Sequence, residues 1–128
     1  MRKNIGSGVI WESRFGYSRA VRLGNQVFVA GTAPVNEKNE TVGGDSIYEQ
    51  ARYCWTKIER ALGEAGAKFS DVVRVRTFVT DISRWEEAGR AQGEIFHDIR
   101  PAATLVQVTA LVRPELLIEI EVDAVIQD

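Results

Sequence analysis

The sequence predicts an α+β fold in which two helices pack on one face of a mixed β-sheet. Two amphipathic segments repeat their apolar residues at intervals of three and four, and five segments have the alternation or apolar content of strands. These segments follow one another in the order β-β-α-β-α-β-β. That order is typical of an α+β layout with the helices on one side of the sheet.

The first two predicted strands form a hairpin. They cover residues 17–23 and 26–33 and flank Gly24-Asn25, a pair that can take the positive φ values of a tight turn. Residues 1–9, which include two glycines, are predicted to be a flexible lead-in. The hairpin is therefore expected to open the folded domain.

The first helix is the clearest element of the sequence. Ser46 and Glu49 have the spacing of a capping box, and Gly66 is well placed to end the helix in a left-handed conformation. Between them, apolar residues recur at helical spacing: Ile47, Ala51, Cys54, Trp55, Ile58, Ala61, Leu62 and Ala65.

A strand and a second helix follow. The strand covers residues 71–80, and the helix is predicted to start with the capping pair Ser83 and Glu86. Pro101 closes this helix because a residue that precedes proline avoids the helical region.

The last two predicted strands cover residues 102–111 and 116–126. In the second of these, isoleucine, valine and alanine side chains point to one face, while Glu119, Glu121 and Asp123 point to the other. The apolar face is predicted to belong to the core.

Composition limits the function classes. The chain has 128 residues, a net charge of −2, one histidine and one cysteine, Cys54, which fits a single domain over residues 1–128. One His and one Cys do not make an ordinary zinc site, so no metal is expected. The chain has no apolar run of membrane-spanning length and no signal-peptide core, which predicts a cytoplasmic protein with no membrane contact. It also has no surplus of basic residues, so nucleic acid is not favoured as a partner.

Three carboxylates on the last strand are the first candidate for chemistry. Like charges at Glu119, Glu121 and Asp123, together with any burial, raise the pKa of at least one of them, which makes a carboxylate a better proton carrier. The alternative is an ordinary solvated strand face whose acids pair with Arg74 and Arg76 on a neighbouring strand.

A second candidate lies near the start of the chain. Arg14, Tyr17 and Arg19 supply two guanidinium groups and a phenol, which together can hold a small carboxylate. The alternative is that these arginines are surface residues.

Several segments, taken in order, resemble one known family, the RidA/YjgF reactive-intermediate deaminases, also called L-PSP or perchloric-acid-soluble proteins. The resemblance runs from about residue 14 to the end of the chain. It is carried by the segments Leu23-Gly24-Asn25-Gln26-Val27-Phe28-Val29-Ala30-Gly31, Pro34-Val35-Asn36, Gln50-Ala51-Arg52, Asp71-Val72-Val73, Phe78-Val79-Thr80-Asp81, Arg100-Pro101-Ala102 and Ile118-Glu119-Ile120-Glu121.

This resemblance implies a chorismate-mutase-like (YjgF-like) fold and a homotrimer with three ligand clefts, one between each pair of subunits. It also implies hydrolysis of enamine or imine intermediates, such as 2-aminoacrylate, to a carbonyl compound and ammonia. Such family members use no metal or cofactor.

Carried over residue by residue, the resemblance assigns three positions of the cleft. Tyr17 matches the cleft tyrosine, Gly31 the glycine after the second strand, and Glu119 the glutamate that positions or activates water. Ala103 stands where the family has the arginine that clamps the substrate carboxylate, and Leu105 replaces a cleft cysteine of many members. The chain therefore resembles a subgroup that lacks this arginine.

Three functions follow as hypotheses. The first is a trimer that binds a small carboxylic or imino acid, or a more apolar ligand, with Glu119 as general base and Arg14 or Arg19 as substitute anchor for an anion. The second is a trimer that binds or senses a ligand in the same cleft without turnover. The third is an endoribonuclease, which the net charge of −2 disfavours.

Overall fold

The computed structural model describes residues 1–127, which form one six-stranded sheet and three α-helices. The strands are β1 (Arg2–Ile5), β2 (Ala20–Leu23), β3 (Gln26–Thr32), β4 (Val72–Val79), β5 (Ala102–Gln107) and β6 (Ile118–Val125). The helices are α1 (Ile10–Phe15), α2 (Ile47–Glu64) and α3 (Trp85–Phe96). Short 3-10 turns at Phe69–Asp71 and Ile82–Arg84 precede β4 and α3.

The strands lie in the order β1-β2-β3-β6-β4-β5. Neighbours run antiparallel except β4 and β5, which are parallel, so the sheet is mixed. Helix α2 packs against β3 and β6, and α3 packs beside α2. The predicted α+β class is thus confirmed. Among residues 1–127, no helix is both long and apolar enough to cross a membrane.

The start of the chain differs from the sequence prediction. Instead of belonging to a flexible lead-in, residues 2–5 form β1, which pairs antiparallel with β2 from Arg2 opposite Leu23 to Ile5 opposite Ala20. Ile5 is only 5% exposed and supplies the apolar contact that holds the strand. The alternation signal was weak because the other residues of this short edge strand are polar and exposed.

The strand β6 forms the centre of the core, as its alternation predicted. Its apolar side chains are almost completely buried beneath the helices: Ile118, Ile120, Val122 and Ala124. The residues between them are half-buried and lie on the other face. The predicted hairpin also forms, and Gly24 takes a φ of +62° in its two-residue turn.

The capping prediction holds in part for α2 and fails for α3. The backbone N–H of Ser46 donates to the carbonyl oxygen of Gly43 at 3.1 Å rather than to Glu49, so one of the two capping-box bonds forms. The Ser46 hydroxyl accepts the backbone N–H of Glu49 at 3.0 Å, and Gly66 has a φ of +86° after the helix. The predicted start of the second helix at Ser83 is wrong. There the Asp81 carboxylate accepts the backbone N–H and the hydroxyl of Ser83, at 3.0 and 2.6 Å, and caps a 3-10 turn, so α3 begins only at Trp85.

Candidate functional site

A bulge between β3 and β6 creates the local geometry of the site. Pairing of β3 with β6 is regular up to Val29 and resumes at Thr32 with a shifted register. Ala30 and Gly31 therefore stand opposite the single residue Glu121. Such an extra residue bends the strand and redirects the neighbouring side chains.

The carboxylate of Glu119 lies over this bulge, against Gly31. A Cβ atom built on Gly31 overlaps Glu119 Oε2, closer than real Cβ contacts come, and lies a tight 3.1 Å from Glu119 Cδ. The φ of Gly31 is not in the left-handed region, so the glycine is required here by space rather than by backbone conformation. The structure thus brings together two residues that the sequence assigned to one site.

Arg19 joins the same group. Its Nη2 donates a hydrogen bond to the carbonyl oxygen of Gly31 at 2.6 Å. Burial lowers the pKa of Arg19 from its ordinary value, and the nearby groups Tyr17, Glu12 and Glu119 act in the opposite direction. Its Nε is buried and has no hydrogen-bond partner among residues 1–127.

Lys57 of α2 completes the cluster, and the sequence analysis missed it. Its Nζ donates to the carbonyl oxygens of Ala33 at 2.8 Å and Val35 at 3.0 Å, just beyond the bulge. Burial lowers the pKa of Lys57, and the charge of Arg19 lowers it further. The signal was present: Lys57 follows Cys54 by three residues, a spacing that puts a charged side chain beside the buried stripe.

The electrostatic setting of Glu119 follows from these neighbours. Burial is the largest influence and raises the pKa of the Glu119 carboxyl, and the negative charge of Glu121 adds to the rise. The positive charges of Arg19 and Lys57 oppose it. The result is a half-buried carboxyl group whose pKa is raised despite the influence of two cations.

Glu119 differs in its partners from the other acids of β6. Arg76 Nη1 lies 3.4 Å from Glu121 Oε1 and 3.3 Å from Asp123 Oδ2, which confirms the prediction that these acids pair with an arginine across the sheet. Glu119 instead stands opposite Phe78 in the register. No Lys, Arg or His nitrogen within residues 1–127 comes within 4.0 Å of its carboxylate.

Two further predicted residues, Tyr17 and Arg14, are exposed. Tyr17 is 43% exposed, and its phenol lies near enough to Arg19 to raise the pKa of that guanidinium. Arg14 is exposed on α1, where its guanidinium carbon lies 5.7 Å from the ring centroid of Trp11 and 5.8 Å from that of Phe15. Of the two candidate anchors, only Arg19 lies with Gly31 and Glu119.

Ala103 and Leu105 lie elsewhere. They belong to β5, at the sheet edge remote from β2, and stand opposite Val75 and Thr77 of β4. Four inter-strand spacings separate β5 from β2, a distance of about 19 Å. Within one chain, these two residues are therefore not brought to Tyr17 and Arg19.

A cavity of about 590 Å³ opens on the face of the sheet opposite α2. The residues that line it include Tyr17, Phe28, Ala30, Glu121 and Asp123, but neither Gly31 nor Glu119. The cavity thus adjoins the cluster through Tyr17 and Ala30, the direct neighbour of Gly31, without enclosing it.

Gln50 fixes the chain segment that leads into Glu119. Its side chain is fully buried, and Nε2 donates to the carbonyl oxygens of Gly44 and Glu115, both at 2.9 Å. Its Oε1 accepts the backbone N–H of Leu117 at 2.8 Å. Because Leu117 lies two residues before Glu119, α2 sets the position at which β6 begins.

Cys54 lies near the cluster, but its thiol is unreactive. It is completely buried in α2, and burial raises the pKa of its thiol to about 12. A thiol with this pKa carries almost no thiolate at neutral pH and is no nucleophile. Within residues 1–127, no group of three or more His, Cys, Asp or Glu residues is placed to hold a metal ion.

The sequence pattern of the family described as endoribonuclease L-PSP matches residues 11–126, almost the whole chain. The chain belongs to this L-PSP family. Solved structures carry the name YjgF, as the resemblance predicted, and curated relatives carry the name RutC.

Three L-PSP relatives illustrate the range of the family. A crystal structure from Mycobacterium tuberculosis, of a member of the YjgF/YER057c/UK114 family, is 49% identical, covers 98% of this chain and 100% of its own, and has a TM-score of 0.89. A RutC family protein of Pyrococcus abyssi is 38% identical over 106 residues, 82% of each chain. The 3-aminoacrylate deaminase RutC of Acinetobacter baylyi is 34% identical over 104 residues, 81% of this chain and 82% of its own.

Proposed function

We propose that this L-PSP protein is a cytoplasmic homotrimer that binds a small metabolite in clefts between its subunits and hydrolyses an enamine or imine to a carbonyl compound and ammonia. The observation that carries the proposal is the position of Glu119: a half-buried carboxylate over Gly31, flanked by Arg19 and Lys57. A general base works best when its pKa lies near the working pH, and burial moves the pKa of Glu119 in that direction.

The reaction needs water as its only co-reactant. An enamine first takes a proton from solvent on carbon, which gives an iminium ion. Glu119 then accepts a proton from water as the water oxygen bonds to the iminium carbon and the C=N π electrons move to nitrogen, which gives a neutral tetrahedral carbinolamine. The C–N bond breaks as the protonated Glu119 passes its proton to the leaving nitrogen, and the hydroxyl proton of the carbinolamine returns to solvent as the C=O bond forms, so that ammonia and a carbonyl compound are the products.

The division of the assigned residues supports a site shared by two subunits. Tyr17, Arg19 and Glu119 lie together, while Ala103 and Leu105 lie at the opposite sheet edge. A second copy that places its β5 beside the first copy's Tyr17 closes a cleft with both groups. Phe28, 44% exposed on the open face of the sheet, is a surface that such an assembly covers.

Arg19 is the favoured anchor for an anionic ligand, since it reaches the Glu119 cluster and Arg14 stacks on aromatic rings instead. Ala103 and Leu105 offer no charge from the other side of the proposed cleft. A ligand with one anionic group and an apolar remainder therefore fits this combination best. The name of the Acinetobacter relative, a deaminase of the enamine 3-aminoacrylate, supports this reaction class.

The test measures hydrolysis of freshly generated 2-aminoacrylate, of 3-aminoacrylate and of an aromatic imino acid. The native protein is compared with Glu119→Gln and with Glu59→Gln, an exposed control on α2. We expect acceleration by the native protein and the control, and a loss of about a hundredfold or more in kcat for Glu119→Gln. Native mass spectrometry is expected to give the mass of a trimer. A monomer, or turnover that persists in Glu119→Gln, would contradict the proposal.

A binding protein without turnover is the second candidate, and Ala103 at the position of the family's clamping arginine favours it. Binding of a small acid in the absence of any acceleration is the result that selects it. The endoribonuclease named in the family description has less support, because Arg74 and Arg76 are paired with Asp123 and Glu121 rather than available to phosphates.

A further inference from the structure

Two cations converge on the bulge, and only one of them was expected there. Arg19 bonds to the carbonyl of Gly31, and Lys57 bonds to those of Ala33 and Val35. A lysine normally keeps its ammonium in water along an apolar stem. Lys57 is half-buried instead, and its ammonium is held by two backbone oxygens at the end of β3.

We propose that Lys57 is a positioning residue for Glu119: its ammonium clamps the segment after β3 and keeps the Glu119 carboxylate ionised in its half-buried place over Gly31. The consequence of this role for catalysis rests on the proposed function, whereas the effect of Lys57 on the ionisation of Glu119 does not.

The need for a second cation follows from how Arg19 is engaged. Burying a carboxylate without compensating charge favours its neutral form. Arg19 opposes this, but one of its nitrogens already bonds to Gly31, and its charge is shared with Tyr17 and Glu12. Lys57 adds a positive charge from α2. Attraction between opposite charges is stronger in a partly buried site than in water.

The charged and titratable groups around Glu119 come from three parts of the fold. Arg19, ahead of β2, and Lys57, on α2, favour the carboxylate, while Glu121 on β6 disfavours it. The buried thiol of Cys54 on α2 also faces this group, and it stays neutral because its pKa is about 12. Lys57 is thus the single group of α2 that favours the ionised form of Glu119.

If Lys57 acts only as a structural clamp, the expected results differ from those for a Lys57 charge that acts on Glu119. Lys57→Gln keeps an N–H donor for the carbonyls of Ala33 and Val35 but removes the charge, whereas Lys57→Arg keeps the charge. Lys3→Gln is the matched control, since Lys3 Nζ also bonds to a backbone carbonyl, that of Glu64 at 3.0 Å, but on the exposed surface.

The experiment follows the ¹³C chemical shift of the Glu119 side-chain carboxyl against pH, with the resonance assigned by its loss in Glu119→Gln. We expect the titration midpoint to rise in Lys57→Gln, to stay close to the native value in Lys57→Arg, and to be unchanged in Lys3→Gln. An equal midpoint in Lys57→Gln and Lys3→Gln overturns the proposal, even if Lys57→Gln lowers stability.

Turnover provides an independent arm of the same test. Where the native protein hydrolyses a substrate, Lys57→Gln is expected to move the acid limb of the kcat profile to higher pH with little change in KM. If no substrate is turned over, the proposed hydrolase activity fails, and the NMR titration still decides the role of Lys57. An unchanged pH profile in an active Lys57→Gln variant overturns the role of Lys57 and leaves the proposed activity standing.

Discussion

The Glu119 carboxylate occupies the volume that the Cβ of any other residue would take at position 31. Gly31 therefore contributes to the site because it has no side chain. The bulge in β3 turns its α-carbon toward β6, and the missing side chain leaves room for a half-buried carboxyl group next to Arg19.

Substitution of Gly31 by alanine is predicted to displace the Glu119 carboxylate without unfolding the chain. The overlapping atoms belong to the far end of a flexible side chain, so the free energy of unfolding should fall by no more than about 1 kcal/mol, while turnover falls at least tenfold, on the order expected for a misplaced catalytic group. Urea denaturation and steady-state kinetics on the same sample check both parts.

Gly63 on α2 provides the control, because a Cβ there meets no atom within 4 Å. Gly63→Ala should leave turnover unchanged and raise the free energy of unfolding by up to about 1 kcal/mol, since alanine is the better helix former. Full activity of Gly31→Ala would show that Glu119 does not need its present position.

Gln50→Ala is predicted to be one of the most destabilising substitutions of a polar residue in this chain. It removes three hydrogen bonds and leaves the carbonyls of Gly44 and Glu115 and the N–H of Leu117 without their buried partner. We expect a loss on the order of 3 kcal/mol in the free energy of unfolding. The exposed Gln26→Ala serves as reference, and a loss equal to that of the reference would show that water replaces Gln50.

Cys54 is predicted to resist thiol reagents in the folded protein. A pKa of about 12 and complete burial leave neither thiolate nor access, so alkylation at pH 8 should be slower than in the urea-unfolded chain by about a hundredfold or more. Stopped-flow or mass-spectrometric measurement of the alkylation rate in both states provides the comparison. Equal rates would mean that α2 opens readily from the sheet.

The sequence predicted the regular parts of this fold because their signals are local. The alternation of β6, the capping of α2 by Ser46 and the turn at Gly24 each depend on residues close together in the chain. Strand β1 escaped prediction because one buried side chain, Ile5, holds it. Helix α1 has six residues, too few for a periodic pattern.

The site was predicted in part, and the reasons differ between residues. Glu119 and Gly31 came from the resemblance, and their direct contact depends on a bulge that no local pattern reveals. Arg14 and Arg19 were equivalent in the sequence, and only the fold separates them, because one stacks on aromatic rings and the other reaches Gly31. Lys57 requires the packing of α2 on the sheet to come near Glu119.

The elevated pKa of Glu119 predicts that its ionisation opposes folding. Burial raises this pKa, so the folded chain retains the proton at pH values where the unfolded chain has released it. The stability that this group contributes is fully present below its unfolded pKa, roughly 4.3, and is lost as the pH rises through the folded value. Glu119→Gln cannot ionise, so its free energy of unfolding minus that of the native chain should increase from pH 4 to pH 7.

The slope of this difference is the diagnostic quantity, since removal of the carboxylate also leaves Arg19 and Lys57 facing each other and shifts the absolute value. Urea denaturation of both proteins at a series of pH values gives the slope, and Glu59→Gln controls for a change of one surface charge. A difference that is constant or decreases with pH would mean that the cations outweigh burial. The Glu119 carboxylate would then be stabilised by the fold, and its suitability as a general base near neutral pH would be lost.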